Sequence, residues 1–131
     1  MSNRGHNGDE LMRFGPEQLA VLGESGEVEI ETRRGDRRYR TVIWIVVDEG
    51  EVFVRSVRGE AGKWYQRALS DPDVTLHVDQ TVIPARAVPA EDPEAVERVN
   101  RALREKYRPG GSLDAMLSSE VQEDTLKLEP V

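Results

Sequence analysis

The run Arg38-Tyr39-Arg40-Thr41-Val42-Ile43-Trp44-Ile45-Val46-Val47 changes character halfway along. Taken as a strand, it puts Tyr39, Thr41, Ile43, Ile45 and Val47 on one face and Arg38, Arg40, Val42, Trp44 and Val46 on the other, because side chains alternate. Beyond Thr41 both faces are apolar, which predicts a strand central in a barrel or covered by a second subunit. On its N-terminal side Glu27 to Arg33 alternates Val28, Ile30 and Thr32 with charged residues, a half-buried strand. Arg34-Gly35-Asp36-Arg37 joins the two, with Gly35 free to take positive φ. On the other side Asp48-Glu49-Gly50-Glu51 turns the chain into the strand Val52-Phe53-Val54-Arg55-Ser56.

Further out, Gly15-Pro16-Glu17 opens a short helix closed by Gly23 and Gly26, with Pro16 in a tolerated first-turn position. A second helix is expected from Lys63 to Ser70, stopped by Asp71-Pro72-Asp73. Val74 to Val78 and Thr81 to Val88 read as a hairpin around Asp79-Gln80, with Pro84 marking an edge or a bulge. Asp92-Pro93-Glu94 caps the strongest helix, whose Val96, Val99, Leu103 and Tyr107 share one face. Glu94–Arg98 and Glu97–Arg101 would pair on its wet side. Leu113 to Leu117 reads as one helical turn and Thr125 to Leu128 as a closing strand. This order predicts a β-rich α+β fold, an antiparallel barrel with flanking helices. It is expected as a single domain over residues 11–131, after a flexible tail over residues 1–10 with neither signal-peptide nor anchor character.

Composition narrows the function. With no cysteine among 131 residues, disulfide frameworks, thiolate nucleophiles and zinc–cysteine sites are excluded, which suits a cytoplasmic location. The net charge of −7 argues against a general nucleic-acid binder. The charge is uneven, however: Arg33 to Arg67 carries a local +4, leaving −11 elsewhere. A basic belt on an acidic protein is suited to a localised anion, and equally to salt-bridged faces.

No metal site or hydrolytic triad emerges. His6 and His77 are far apart in sequence, and no G-x-S-x-G elbow is present. The loop Ser56-Val57-Arg58-Gly59-Glu60-Ala61-Gly62-Lys63 has the look of a phosphate loop but fails as a Walker A motif, since Val57 and Trp64 stand where Gly and Ser/Thr are required. Its glycines and the helix N-terminus that follows still suit an anion, with Arg58 and Lys63 alongside. The same loop reads equally as an ordinary exposed one. Arg40 would bring a guanidinium to the barrel mouth for a phosphate, or pair across strands with Glu29 or Glu31. Trp64 offers a flat apolar surface, as a core residue also would.

Together these residues resemble the split-barrel superfamily typified by pyridoxamine-phosphate oxidases and deazaflavin-dependent reductases. The likeness lies in Arg40-Thr41-Val42-Ile43-Trp44, in Val52-Phe53-Val54-Arg55-Ser56, in the loop Gly59 to Lys63 and in the WYQRALSDPDVTL run from Trp64. From Leu11 to Pro130 the chain is also similar to a bacterial domain-of-unknown-function family in that superfamily, through REKY at Arg104–Tyr107 and the closing DTLKLEP. The resemblance implies an antiparallel split β-barrel and a homodimer holding FMN or a deazaflavin between subunits. It implies that Arg40 and Lys63 contact phosphate, with Arg58 in the same loop. Arg55, Ser56, Thr41 and Val42 would line the flavin, with Trp64 close by. Two departures stand out: apolar Ile45 replaces the oxidases' lysine, and their substrate-phosphate residues have no counterpart.

The expected function is therefore a flavin- or deazaflavin-dependent oxidoreductase acting on a small organic molecule. The alternative is a non-catalytic barrel, without a flavin, that holds another phosphate-bearing or anionic ligand. A protein- or RNA-contact role for the basic belt conflicts with the acidic remainder.

Overall fold

A computed structural model of the chain describes residues 13–131. The tail expected over residues 1–10 lies outside the described residues. The elements run α1 (Pro16–Glu24), β1 (Val28–Arg34), β2 (Arg37–Ile43), β3 (Val46–Asp48), β4 (Glu51–Arg55), α2 (Lys63–Ser70), β5 (Asp73–Val78), β6 (Thr81–Pro89), α3 (Pro93–Lys106), α4 (Gly111–Leu117) and β7 (Thr125–Pro130). A short 3₁₀ turn, Gly59–Ala61, precedes α2. All strands form one seven-stranded antiparallel sheet in the order β2-β1-β5-β6-β7-β4-β3.

That order closes the sheet on itself. β2 and β3 lie at opposite edges, yet only Trp44 and Ile45 separate them in the chain. Three Cα steps reach on the order of 10 Å, so the edges must meet and the sheet curls into a half-barrel. The hairpin turns follow the sequence. Gly35 takes φ 62° between Arg34 and Arg37, and Glu49 and Gly50 both take positive φ in the two-residue turn after Asp48.

The single strand expected over Arg38 to Val47 is thus two strands with a corner. The end of α3 holds that corner. Tyr107 Oη accepts the Ile45 N–H at 3.1 Å and donates to the Gly26 carbonyl at 2.6 Å. Lys106 Nζ donates to the Ile45 carbonyl at 2.7 Å and the Leu22 carbonyl at 3.1 Å. Ile45 therefore bonds to the helix end instead of to a neighbouring strand, and its backbone groups stay satisfied. Trp44 stacks on Tyr107 with ring centroids 3.8 Å apart.

Two apolar clusters flank the sheet. The larger fills the curl, with Ile30, Ile43, Ile45, Val52, Leu76, Ile83 and Leu126 among its members, under Leu22 of α1 and Trp64 of α2. The smaller joins Val46 and Phe53 to Val99, Leu103, Leu113 and Met116. The cover expected from a second subunit over Ile43 and Ile45 thus comes from this chain, and α3 and α4 cover Val46. At Pro84 only β5 runs alongside, because pairing with β7 begins at Ala85↔Pro130, so the proline sits at a local edge of an interior strand.

Two further expectations are corrected. Arg98 does not pair along its helix. It reaches across to the β3–β4 hairpin, donating to Asp48 Oδ2 and Glu51 Oε1 at 2.7 Å each, because α3 packs directly on β3. Asp92 caps α3 as expected, accepting from Ala95 N–H. The turn expected at Leu113 is a fuller helix beginning at Gly111.

Burial pushes the Lys106 ammonium down to about 8 from its ordinary 10.5. Between those values the unfolded chain keeps a proton that the folded chain has released, so stability rises with pH across the window, falls as pH drops back toward 8 and levels off below it. Urea unfolding at pH 7.5 and pH 10 should show the native protein gaining stability relative to Lys106→Met at the higher pH. An unchanged difference would contradict this reading of the corner.

Candidate functional site

A cleft of about 630 Å³ opens where β2 and the corner face the loop before α2. One wall is Thr41, Val42, Ile43 and Trp44; the other is Ser56, Val57, Arg58, Gly62, Lys63 and Trp64. Both follow from the local fold. β2 ends at the corner and delivers Trp44, whose ring Tyr107 fixes, while β4 ends at Arg55 and hands the chain to the glycine loop. The size falls in the range of about 300–1,000 Å³ usual for small-molecule sites.

The loop's glycines have structural reasons. Gly59 adopts φ 61°, and a Cβ there would lie 3.0 Å from Asp124 Oδ2. A Cβ on Gly62 would collide with Ser56 Oγ. Ser56 itself is buried and donates to the Gly59 carbonyl at 2.8 Å, so it braces the loop. Gly62 is the N-cap of α2 and offers no side-chain cap. The first-turn N–H groups of α2 thus have no intrahelical acceptor and form the positive end of the helix dipole beside the cleft.

Of the residues singled out from the sequence, Thr41, Val42, Arg55, Ser56, Arg58, Lys63 and Trp64 all come to this cleft. Arg40 does not. Its guanidinium lies on the strand surface 3.6 Å from Glu29 and 3.8 Å from Glu31, the cross-strand pairing that its position also allowed. Glu31 is already engaged by His77 at 2.8 Å, whose hydrogen bond, with Arg38, holds the carboxyl below its usual range.

Arg55 reaches the cleft wall but turns its donors inward. It is buried, with Nε bonded to Thr125 Oγ1 at 2.8 Å and Nη1 to Asn100 Oδ1 at 2.7 Å and the Met116 carbonyl at 3.0 Å. Burial lowers it to about 10, with Asp124 pulling the other way. Arg55 therefore ties β4 to β7, α3 and α4. Arg58 and Lys63 differ: both are exposed on the cleft, and neither makes an ion pair among the described residues.

Sequence reasoning missed the third wall. Gly111, Ser112, Ala115 and Met116 of α4 line the cleft, and Glu27 closes it from the α1–β1 loop. The Pro109-Gly110-Gly111-Ser112 break marked the start of α4, but no pattern in the sequence aimed that helix at the loop. Val42 and Val57, both on the cleft, are among the exposed large apolar side chains, at 57% and 46%.

A seven-stranded curled antiparallel sheet flanked by helices, with this cleft at its corner, defines a split-barrel protein. The chain belongs to the family described as "Uncharacterized protein conserved in bacteria (DUF2255)", whose model matches residues 18–128. No curated protein matches the sequence. Among solved structures it is similar to a Listeria innocua protein named "Putative Pyridoxamine 5'-phosphate oxidase" (16% identity, 88% of this chain and 90% of that one, TM-score 0.61). It is similar to HutZ, the heme storage protein of Vibrio cholerae (16% identity, 92% of each chain, TM-score 0.62). It is also similar to the FAD binding protein of Mycobacterium smegmatis (15% identity, 90% of each chain, TM-score 0.58). At these identities the likeness is one of fold.

The two kinds of arginine make separable predictions. Arg55→Met leaves several buried acceptors unmatched, each costing about 1–3 kcal/mol, so its urea midpoint should fall steeply. Arg58→Met should leave stability unchanged within about 0.5 kcal/mol, as expected for an exposed side chain with no ion pair among the described residues. The reverse order would contradict the division.

Proposed function

We propose that the cleft binds a flavin, FMN or a deazaflavin, and that the protein is an oxidoreductase acting on a small organic molecule. The observation that carries this reading is the pairing of flat apolar walls with unmatched positive charge: Trp44 and Trp64 line the same cleft as Arg58, Lys63 and the start of α2. A planar ring bearing a phosphate fits those surfaces. Lys63, Arg58 and the α2 N–H groups would hold the phosphate, while Thr41, Val42 and Trp64 would flank the ring. Arg40 has no part in this assignment, and Arg55 and Ser56 act by bracing the walls. The cofactor would supply the redox chemistry; the chain supplies orientation, charge and exclusion of water.

A second copy of the chain fits this proposal as a lid. Val42 and Val57 are exposed at the cleft, where a homodimer interface would bury them together with the ligand. The non-catalytic reading draws support from the cleft's chemistry. Among the described residues Glu27 is its one carboxylate, and Ile45, standing where the oxidases carry lysine, is buried in the core. A bound flavin that is reduced by NAD(P)H and passes electrons to a quinone favours the enzyme; a phosphate-bearing ligand held in the cleft with no affinity for a flavin favours the binding module.

Calorimetric titration with FMN and with a deazaflavin tests the site. Lys63→Ala and Arg58→Ala should each weaken binding about tenfold, the loss expected for one charge-assisted hydrogen bond. Arg40→Ala should bind as the native protein does. No binding of either cofactor would refute the proposal, and sedimentation of the loaded protein as a monomer would refute the dimer.

A further inference from the structure

Lys63, Gln66, Arg67 and Ser70 fall at i, i+3, i+4 and i+7 on α2 and so form one stripe along its outer face. Opposite them the β1–β2 hairpin brings Arg33 and Arg34, and Asp71 closes the far end. Together they line a groove of about 360 Å³. Four cations, Arg33, Arg34, Lys63 and Arg67, thus face one carboxylate on the surface of a chain whose net charge is −7.

Their charge is only partly answered. Arg33 Nη2 lies 3.2 Å from both Asp71 and Asp73, while its Nε is buried with no hydrogen-bond partner among the described residues. Arg67 donates Nε to Thr32 Oγ1 at 2.8 Å and stands 4.1 Å over the Tyr39 ring, and neither of these neighbours carries a negative charge. Arg34 and Lys63 make no ion pair among the described residues. Arg34, Lys63 and the outer nitrogens of Arg67 are thus left facing the depression, and such donors suit a phosphate, whose oxygens accept charge-assisted N–H bonds.

Lys63 lines both this groove and the main cleft. From Lys63 to Ser70 the helix extends about 10 Å at 1.5 Å per residue, roughly the span of a further phosphate and its sugar. We propose that the groove is a second phosphate subsite, taking the distal phosphate of a nucleotide-type ligand that enters over Lys63. The assignment rests on the ligand reading above insofar as the same molecule fills the cleft. The ligand would then be a flavin whose FMN-like part fills the cleft and whose further nucleotide phosphate reaches the groove.

The test compares the full-length protein with Arg34→Gln, titrated with FMN, FAD and ADP at low salt and followed by amide NMR. Arg34 is exposed at the end of β1 and has no part in the core. ADP should shift the amides of Gly35, Gln66 and Ser70, and FAD should bind more tightly than FMN. Arg34→Gln should weaken ADP and FAD about tenfold, as loss of one charge-assisted contact does, while FMN changes less than about twofold. ADP binding with no advantage of FAD over FMN supports the subsite and assigns it to a separate nucleotide. ADP shifts at the groove without any flavin binding support the subsite and reject the flavin reading. Binding of ADP and FAD that is unaffected by Arg34→Gln, or no ADP shift together with equal FMN and FAD affinities, overturns the subsite whether or not FMN binds.

Discussion

The corner at Trp44–Ile45 is the constraint on which the rest of the structure depends. A seven-stranded sheet whose outermost strands are neighbours in the chain must bend back on itself, and the backbone at the bend cannot join either ladder. Lys106 and Tyr107 satisfy it from the end of α3, and the same two side chains reach the carbonyls of Leu22 and Gly26. One helix terminus therefore fixes the closure of the sheet and the seat of α1. By stacking on Trp44 it also sets one wall of the cleft. A polar network at such a point specifies a single arrangement because an unsatisfied buried amide or carbonyl would be costly.

The cations divide along the same lines. Arg55, Arg98 and Lys106 are held by acceptors from elements distant in sequence, and their charge is consumed in joining β4 to β7, the β3–β4 hairpin to α3, and the corner to α1. Arg58, Lys63 and Arg34 are exposed and keep theirs. Within the basic belt from Arg33 to Arg67, Arg55 thus serves structure, whereas Arg58, Lys63 and Arg34 have capacity for an anion. These three lie along the glycine loop, the start of α2 and the neighbouring β1–β2 hairpin.

Much of this was legible in the sequence where local rules act. The helix from Lys63 to Ser70, the capped start at Asp92, and the turns at Gly35 and Gly50 follow from residue chemistry within a few positions. Ser56, Arg58, Lys63 and Trp64, singled out by motif resemblance, line one cleft. What escaped was set by distant contacts. Nothing near Trp44 announces that the apolar run breaks, because the groups that break it lie at Lys106 and Tyr107. The REKY motif was visible as a likeness, but its role depends on where α3 ends in space. Arg40 was ambiguous between a phosphate and Glu29 or Glu31, and strand register decided for the carboxylates. The contribution of α4 to the cleft depends on the path of the chain after Gly110, which periodicity does not encode.

The proposed flavin ring would lie in the cleft between Trp44 and Trp64. These are the only tryptophans in the chain, and both line that cleft, so they report on it without labelling. Titration with FMN, followed by tryptophan emission in the native protein and in Trp44→Phe and Trp64→Phe, tests the claim most directly. The account predicts saturable quenching of each tryptophan with the same affinity. Emission that stays constant while the flavin binds elsewhere, or while it does not bind at all, would contradict it.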